Sequence, residues 1–331
     1  MAPQNTGTAP HTGTAPRYAA IDCGTNSIRL LISEVREDGT LRELNRDNII
    51  VRLGQGVDAT GRFADEALGR VEDALEIYAD RMVEYGVRDV MMGATSATRD
   101  ASNREEFFEI TRRLLGRVRE GAVAEVISGE QEARLSFRGA VMDLPQTSAD
   151  SLDTTCVIDL GGGSTEFVVG GTQAYSADMG CVRLTERHLQ TVPPKESEIS
   201  DAQATVAQLL ADVEQHVDLS SVTRVVGVAG TMTTLCALAQ ELESYEPEKI
   251  HMHTLPLARL REVAMNLVPL TPQQRMEFGP MHPGRADVIG GGALVVEAFT
   301  RRFEELGLTD ITISEKDILD GILAEVIDRA R

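Results

Sequence analysis

A long-range echo constrains this chain more than any other feature. Ile21-Asp22-x-Gly24, followed by Ser27, returns as Ile158-Asp159-x-Gly161, followed by Ser164. Each copy reads as a strand ending in an acidic residue, then a glycine turn, a hydroxyl and a second strand. A repeat at this distance is a duplicated domain, not a short solenoid unit. Two similar α/β domains facing one another would bring both turns into one cleft, and such clefts are common ligand sites. The length of 331 residues agrees with two domains.

Between the two turns the apolar pattern changes period. Ile28 to Ile32 and Ile49 to Leu53 read as strands. Leu68, Val71, Leu75, Tyr78, Met82 and Tyr85 recur at steps of three and four, one face of a long helix. Val87 to Met92 and Val123 to Ile127 are further strands, and Glu105 to Leu115 is a helix. Ser128 with Gln131 has capping-box spacing and opens a helix to about Val141. The polar stretch 143–153 reads as a loop or hinge. Strands follow at Cys156 to Asp159, Thr165 to Val169, near Ala174, at Val222 to Val228 and near Ile311. Helices are expected around 196–216, 230–240, 256–267 and 284–306, with a final one from Asp317. The TGTAP repeat within residues 1–16 is too small and polar to build a core and is expected to be a disordered tail.

The strongest chemical signal is Asp159-Leu160-Gly161-Gly162-Gly163-Ser164-Thr165-Glu166. Three glycines between strands let backbone N–H groups converge on an anion. Ser164 and Thr165 add hydroxyls, and Asp159 and Glu166 are hard oxygen ligands suited to Mg²⁺. The first turn offers the same chemistry through Asp22, Gly24, Asn26, Ser27 and Arg29. Arg99, at a strand end, either clamps a phosphate or pairs with Asp100 or a helix end. A carboxylate at the start of the 128–141 helix could orient or deprotonate a water, and spacing alone does not choose between Glu130 and Glu132. Gly230-Thr231 at a helix start is a further anion seat. The glycines at 290–292 read as close helix packing, the arginines at 112, 113, 117 and 119 as a solvated helix face, and His251-x-His253 as an exposed loop.

Composition removes several function classes. Lys plus Arg is 32 against 52 Asp plus Glu, a formal charge of -20, so the chain has no electrostatic footprint for DNA or an anionic membrane. A polyanionic substrate therefore needs a local cationic cleft or a metal ion. With no Trp, stacking platforms for bases are not expected. The four cysteines form no C-x-x-C pair and read as free thiols of a reducing compartment, so a cytoplasmic location is expected. There is no apolar run of spanning length and no visible signal peptide. Walker A, dinucleotide and nucleophile-elbow motifs are absent.

Taken together, IDCGTNSIRLLI, ATSATRDASN, EVISGEQEARLSF, VIDLGGGSTEF, MGCVRLTE, GVAGTMTTL and RADVIGGGALVVE run in order from Ile21 to Glu297. In these stretches the chain resembles the exopolyphosphatase / guanosine pentaphosphate phosphohydrolase family of the actin–sugar kinase–Hsp70 superfamily. The resemblance implies an α/β fold of two ribonuclease-H-like domains with an interdomain cleft. It implies a first domain of 17–140 plus 315–331, the C-terminal helix crossing back, and a second of 141–314. It also implies a short form without the helical C-terminal region of the longer members. By motif it selects Glu132 over Glu130 as the catalytic acid. It makes Arg99 a phosphate ligand, and Asp159, Gly161, Ser164 and Glu166 the phosphate- and metal-binding hairpin.

The expectation is a Mg²⁺-dependent hydrolase. Phosphate would sit on Gly24, Asn26, Ser27, Arg29, Arg99, Gly161 to Thr165, Gly230 and Thr231, and the metal on Asp159, Glu166 and Asp22. The substrate would be inorganic polyphosphate, with guanosine pentaphosphate (pppGpp) as runner-up, since the motifs grip only the terminal phosphate. An ATP-dependent kinase and a non-catalytic polyphosphate sensor are the rival classes. The resemblance also suggests a homodimer.

Overall fold

The structure is a computed structural model; it describes residues 15–145 and 152–331. The expected tail therefore lies almost wholly outside the described residues, as does much of the 143–153 loop.

The first half of the chain runs β1 (Arg17–Cys23), β2 (Ser27–Val35), β3 (Leu41–Ile50), α1 (Val57–Thr60), α2 (Asp65–Glu84), β4 (Asp89–Ala94), α3 (Ser96–Asp100), α4 (Arg104–Leu115), β5 (Glu125–Val126) and α5 (Gly129–Ala140). The second runs β6 (Thr155–Leu160), β7 (Thr165–Val169), β8 (Gln173–Ala177), α6 (Cys181–His188), α7 (Glu196–His216), β9 (Arg224–Val228), α8 (Ala229–Ala239), α9 (Pro247–Ile250), β10 (His253–Pro256), α10 (Leu257–Leu267), α11 (Pro272–Arg275), α12 (Ile289–Glu305), β11 (Asp310–Ile313) and α13 (Ile318–Arg329).

Two sheets carry the duplication. The first has the order β3-β2-β1-β4-β5, and the second β10-β11-β9-β6-β7-β8. In each, three antiparallel strands are followed by strands parallel to the first, β1 with β4 and β6 with β9. Leaving aside β10, the second sheet repeats the first strand for strand, giving two ribonuclease-H-like lobes. The glycine turns close identically: Gly24 N–H donates to Ser27 O at 3.0 Å, and Gly161 N–H to Ser164 O at 3.0 Å.

Helix α2 forms where its periodicity predicts, burying Leu68, Val71, Leu75, Tyr78 and Met82. Helix α13 is capped by Asp317, whose side chain accepts from Leu319 N–H at 3.0 Å. It lays Leu319, Ile322, Leu323 and Val326 on Tyr18, Ala20, Leu31 and Met91 of the first sheet. Each such side chain contributes roughly 1.5–3 kcal/mol of burial. Helix α5 lies between the lobes. Leu135 joins the α13 cluster, while Ala133, Phe137 and Ala140 pack on Val157, Val168 and Val226 of the second sheet.

Some expectations move. The third strand is Leu41–Ile50, not 49–53; it is a largely exposed edge strand whose polar residues hide the alternation. The 123–127 run narrows to a strand of Glu125–Val126, with Ile127 N–H still donating to Ala94 O at 3.1 Å, and the helix expected from 284 begins at Ile289. Helix α6 and strand β10 were not anticipated. The glycine run is close packing: a side chain at Gly291 would meet Cys181 and Thr185, and one at Gly292 would meet Thr231. Arg113, Arg117 and Arg119 pair with Glu72, Asp80 and Asp89, so that face is ion-paired surface. His251 is not loosely exposed; its Nε2 faces Asp143 at 3.0 Å and its Nδ1 accepts from Glu315 N–H. The four cysteines are buried and free. No described helix is long and apolar enough to cross a membrane.

Candidate active site

A cleft of about 560 Å³ opens where the two glycine turns approach each other. Its walls include Asp22, Gly24, Asn26, Ser27 and Arg29 from the first turn and Asp159, Gly161, Gly162, Gly163 and Ser164 from the second. Glu132, Gly230 and Thr231 also line it. Most of the residues singled out from the sequence thus meet in one place.

The hairpin is arranged to bind an anion through its backbone. The carbonyls of Gly161, Gly162 and Gly163 accept from the N–H groups of Cys181, Val182 and Gly180 at the start of α6, at 3.0, 2.8 and 3.2 Å. The N–H groups of Gly162 and Gly163 donate to no carbonyl among the described residues. With the carbonyls engaged, it is the N–H side of the loop that remains for a ligand.

Carboxylates crowd the same cleft. Glu132 is buried on α5 and accepts from Arg99 Nη1 at 2.6 Å. Burial pushes its carboxyl up to about 7, against the pull of Arg99 and with help from the Asp22 charge. Asp159 accepts from Ser136 Oγ at 2.6 Å and is also pushed up to about 7, first by burial and then by the charges of Asp317 and Glu132. Asp22 is raised by burial although Arg29 Nη2 donates to it at 2.7 Å. Arg29 also pairs with Asp317. A buried site holding this many acids favours cationic or protonated partners.

Three predicted residues are not on the cleft wall. Arg99 is tied to Glu132 and to Ile127 O at 3.0 Å. Thr165 is fully buried, its hydroxyl donating to Met179 O. Glu166 sits directly across from Asp159 in the strand register, on the same face of the sheet, but is buried and accepts from Ser176 Oγ at 2.6 Å. Asn26 faces the cleft but spends Nδ2 on Gly284 O at 3.1 Å, tying one lobe to the other.

Sequence reasoning missed Arg46, Arg285 and Asp317, which also line the cleft. Arg285 donates to Thr234 Oγ1 at 2.6 Å, and any side chain at Gly230 would collide with its guanidinium. Gly230 therefore makes room for a cation as well as facing the cleft. Ala229, just before it, takes φ 72°, a strained conformation of the kind that clusters at functional sites. The available signal was an arginine immediately ahead of a glycine run already singled out.

Among the described residues, no three His, Cys, Asp or Glu side chains converge to form a metal cage. Mg²⁺ does not need one, since it is commonly held by one or two carboxylates plus substrate phosphates. Asp22 and Asp159, both hard oxygen donors on the cleft wall, fit that mode.

The model of the Ppx/GppA phosphatase family matches residues 31–330. The chain belongs to this family. It is 51% identical over 313 residues to exopolyphosphatase 2 of Mycobacterium tuberculosis, covering 92% of this chain and 97% of that protein. A solved exopolyphosphatase-like protein superposes with a TM-score of 0.89 at 38% identity, covering 96% of this chain and 99% of that one. An exopolyphosphatase from Cytophaga hutchinsonii gives 0.82 at 27% identity, covering 95% and 98%. The Ppx/GppA membership accounts for the two-lobed topology and for the cleft lying between glycine hairpins.

Proposed function

We propose that this Ppx/GppA protein is an exopolyphosphatase, releasing terminal orthophosphate from inorganic polyphosphate. The observation that carries the reading is a buried carboxylate, Glu132, sharing a cleft with a glycine hairpin in which the Gly162 and Gly163 N–H groups donate to no carbonyl among the described residues. Phosphoryl transfer needs positioning and charge stabilisation more than covalent chemistry. The terminal phosphoryl group rests on the N–H groups of Gly162 and Gly163 and on Ser164. Arg29 and Arg285 offset its charge. Glu132 accepts a proton from a water that attacks phosphorus in line with the leaving oxygen. The P–O bond to the chain breaks, leaving orthophosphate and a polyphosphate one unit shorter. Magnesium bound at Asp22 and Asp159 would supply further charge neutralisation on the phosphate oxygens. Arg99 orients Glu132 through their ion pair.

We assign the first domain to 17–140 plus 315–331 and the second to 141–314; the packing of α13 on the first sheet supports this. The buried free thiols support a cytoplasmic setting. A homodimer follows from the family resemblance and is checked by light scattering.

One observation favours a second substrate. The cleft lining also includes Tyr245, Pro280, Met281 and Pro283, apolar surface that would suit the base of pppGpp, with His282 and Glu315 among them. Phosphate release from long-chain polyphosphate and from pppGpp, each with Mg²⁺, separates the two. Faster release from polyphosphate supports the first reading. Release from pppGpp alone replaces it, and release from neither overturns both.

The acid limb of the pH profile is a further expected result. Glu132 acts as a base only when ionised, and burial raises its carboxyl to about 7. Activity should therefore rise as pH climbs through about 7, not near the ordinary carboxylate range. A kcat/KM profile already flat above pH 5 would contradict this.

A further inference from the structure

Helix α6 performs a task that the chemistry above does not use. Its first N–H groups hold the carbonyls of the phosphate hairpin, and Arg183 adds a side-chain bond from Nε to Gly163 O at 2.7 Å. The same guanidinium crosses to the other lobe. Nη1 donates to Asp58 at 2.7 Å, and Nη2 to Ser96 Oγ at 3.0 Å and Asp100 at 2.5 Å. Arg183 is only 8% exposed, and it does not line the catalytic cleft. One turn on, along the same helix face, Glu186 accepts from Gly56 N–H at 3.2 Å and Arg187 donates twice to Asp58 at 2.6 Å. These residues are spaced i, i+3 and i+4, so a single helical stripe meets the first lobe.

We propose that Arg183 is a positioning residue that latches the lobes behind the hairpin, so that the N–H groups of Gly162 and Gly163 are held opposite Glu132. The hairpin belongs to the second lobe, while Asp58, Ser96 and Asp100 belong to the first. A forked cation bonded to all four fixes their spacing, which a lysine point charge cannot do. Arg29 and Arg285, which would grip the substrate, lie on the cleft side and are not among the latch's partners.

The inference rests on the phosphohydrolase reading, and two readouts keep the failures apart. In full-length protein, Arg183→Ala should lower kcat for phosphate release from polyphosphate on the order of 10²-fold, the scale of a small misplacement of reacting groups. KM should stay within about threefold, a split expected when transition-state geometry alone is lost. Arg183→Lys should recover part of kcat. Asp100→Asn should lower kcat in the wild-type background and add little on top of Arg183→Lys, as coupled residues do. Independently of activity, hydrogen–deuterium exchange of the peptides spanning 160–183 and 54–60 should quicken in Arg183→Lys and in Asp100→Asn. A kcat within about threefold of wild type in Arg183→Ala, additive effects of Asp100→Asn and Arg183→Lys, or unchanged exchange in both peptides would overturn the latch. If the wild type releases no phosphate from polyphosphate, the functional reading fails, while exchange alone still decides for or against the latch.

Discussion

Glu132→Gln should cut phosphate release by about 10²–10⁴-fold, the usual contribution of a positioned general base. The substitution is nearly isosteric. Its amide oxygen can still accept from Arg99, which donates to Glu132 at 2.6 Å, but it cannot take a proton from water. The fold should survive. A carboxylate this deeply buried carries a desolvation cost that its raised pKa reports, and the neutral amide escapes it. Losing the charge opposite Arg99 acts the other way, so the melting temperature should stay within a few degrees. Glu130→Gln is the matched control. Glu130 is exposed, pairs with Arg134 at 2.7 Å one turn along the surface, and should leave kcat unchanged. Steady-state phosphate release from polyphosphate checks both variants. If Glu132→Gln keeps activity within tenfold of wild type, the water is activated elsewhere and Glu132 leaves the mechanism.

The two turns were legible in the sequence because each needs a rare residue order in one short stretch. Glycines where a chain must reverse, an acid at the strand end and a hydroxyl after it leave a local signature. The topology followed, since β1–β2 and β6–β7 are hairpins joined by those turns. Glu132 needed the family resemblance, because an acid in a first helical turn serves the helix dipole equally well. What stayed hidden depends on long-range pairing. Asp317 reads as an ordinary N-cap, and only the folded chain brings it to Arg29 across most of the sequence. Arg285 looks like the start of a packing run until Gly230 is seen to make space for it. Glu166 pairs directly with Asp159 across the hairpin, so the pleat puts both carboxylates on one face, while Ser176 Oγ donates to Glu166 just off the cleft wall.

Gly139→Ala should destabilise the protein by about 3 kcal/mol, the upper end of ordinary overpacking, because the obstruction is backbone and cannot rotate away. Gly139 sits on α5 where that helix crosses the start of α13. A methyl there would run into the carbonyl of Asp317, and next into the Gly321 nitrogen. Gly321 faces the reciprocal constraint against Leu135 O, so the two helices touch main chain to main chain. Relief requires α13 to lift. That loosens Leu319, Ile322, Leu323 and Val326 from the first sheet and moves Asp317 away from Arg29. Arg29 would then pull harder on Asp22, and the charge balance of the cleft would change. Activity should therefore fall together with stability, although Gly139 lies outside the cleft wall. Gly69→Ala is the informative control. It lies inside α2 with nothing within 4 Å of the added methyl, so it should gain roughly 0.5–1 kcal/mol from helix propensity alone. Thermal melts of the two variants should move in opposite directions from wild type. A Gly139→Ala protein that melts and turns over like wild type would mean that α5 and α13 do not meet through their backbones, and that Asp317 reaches Arg29 by some other support.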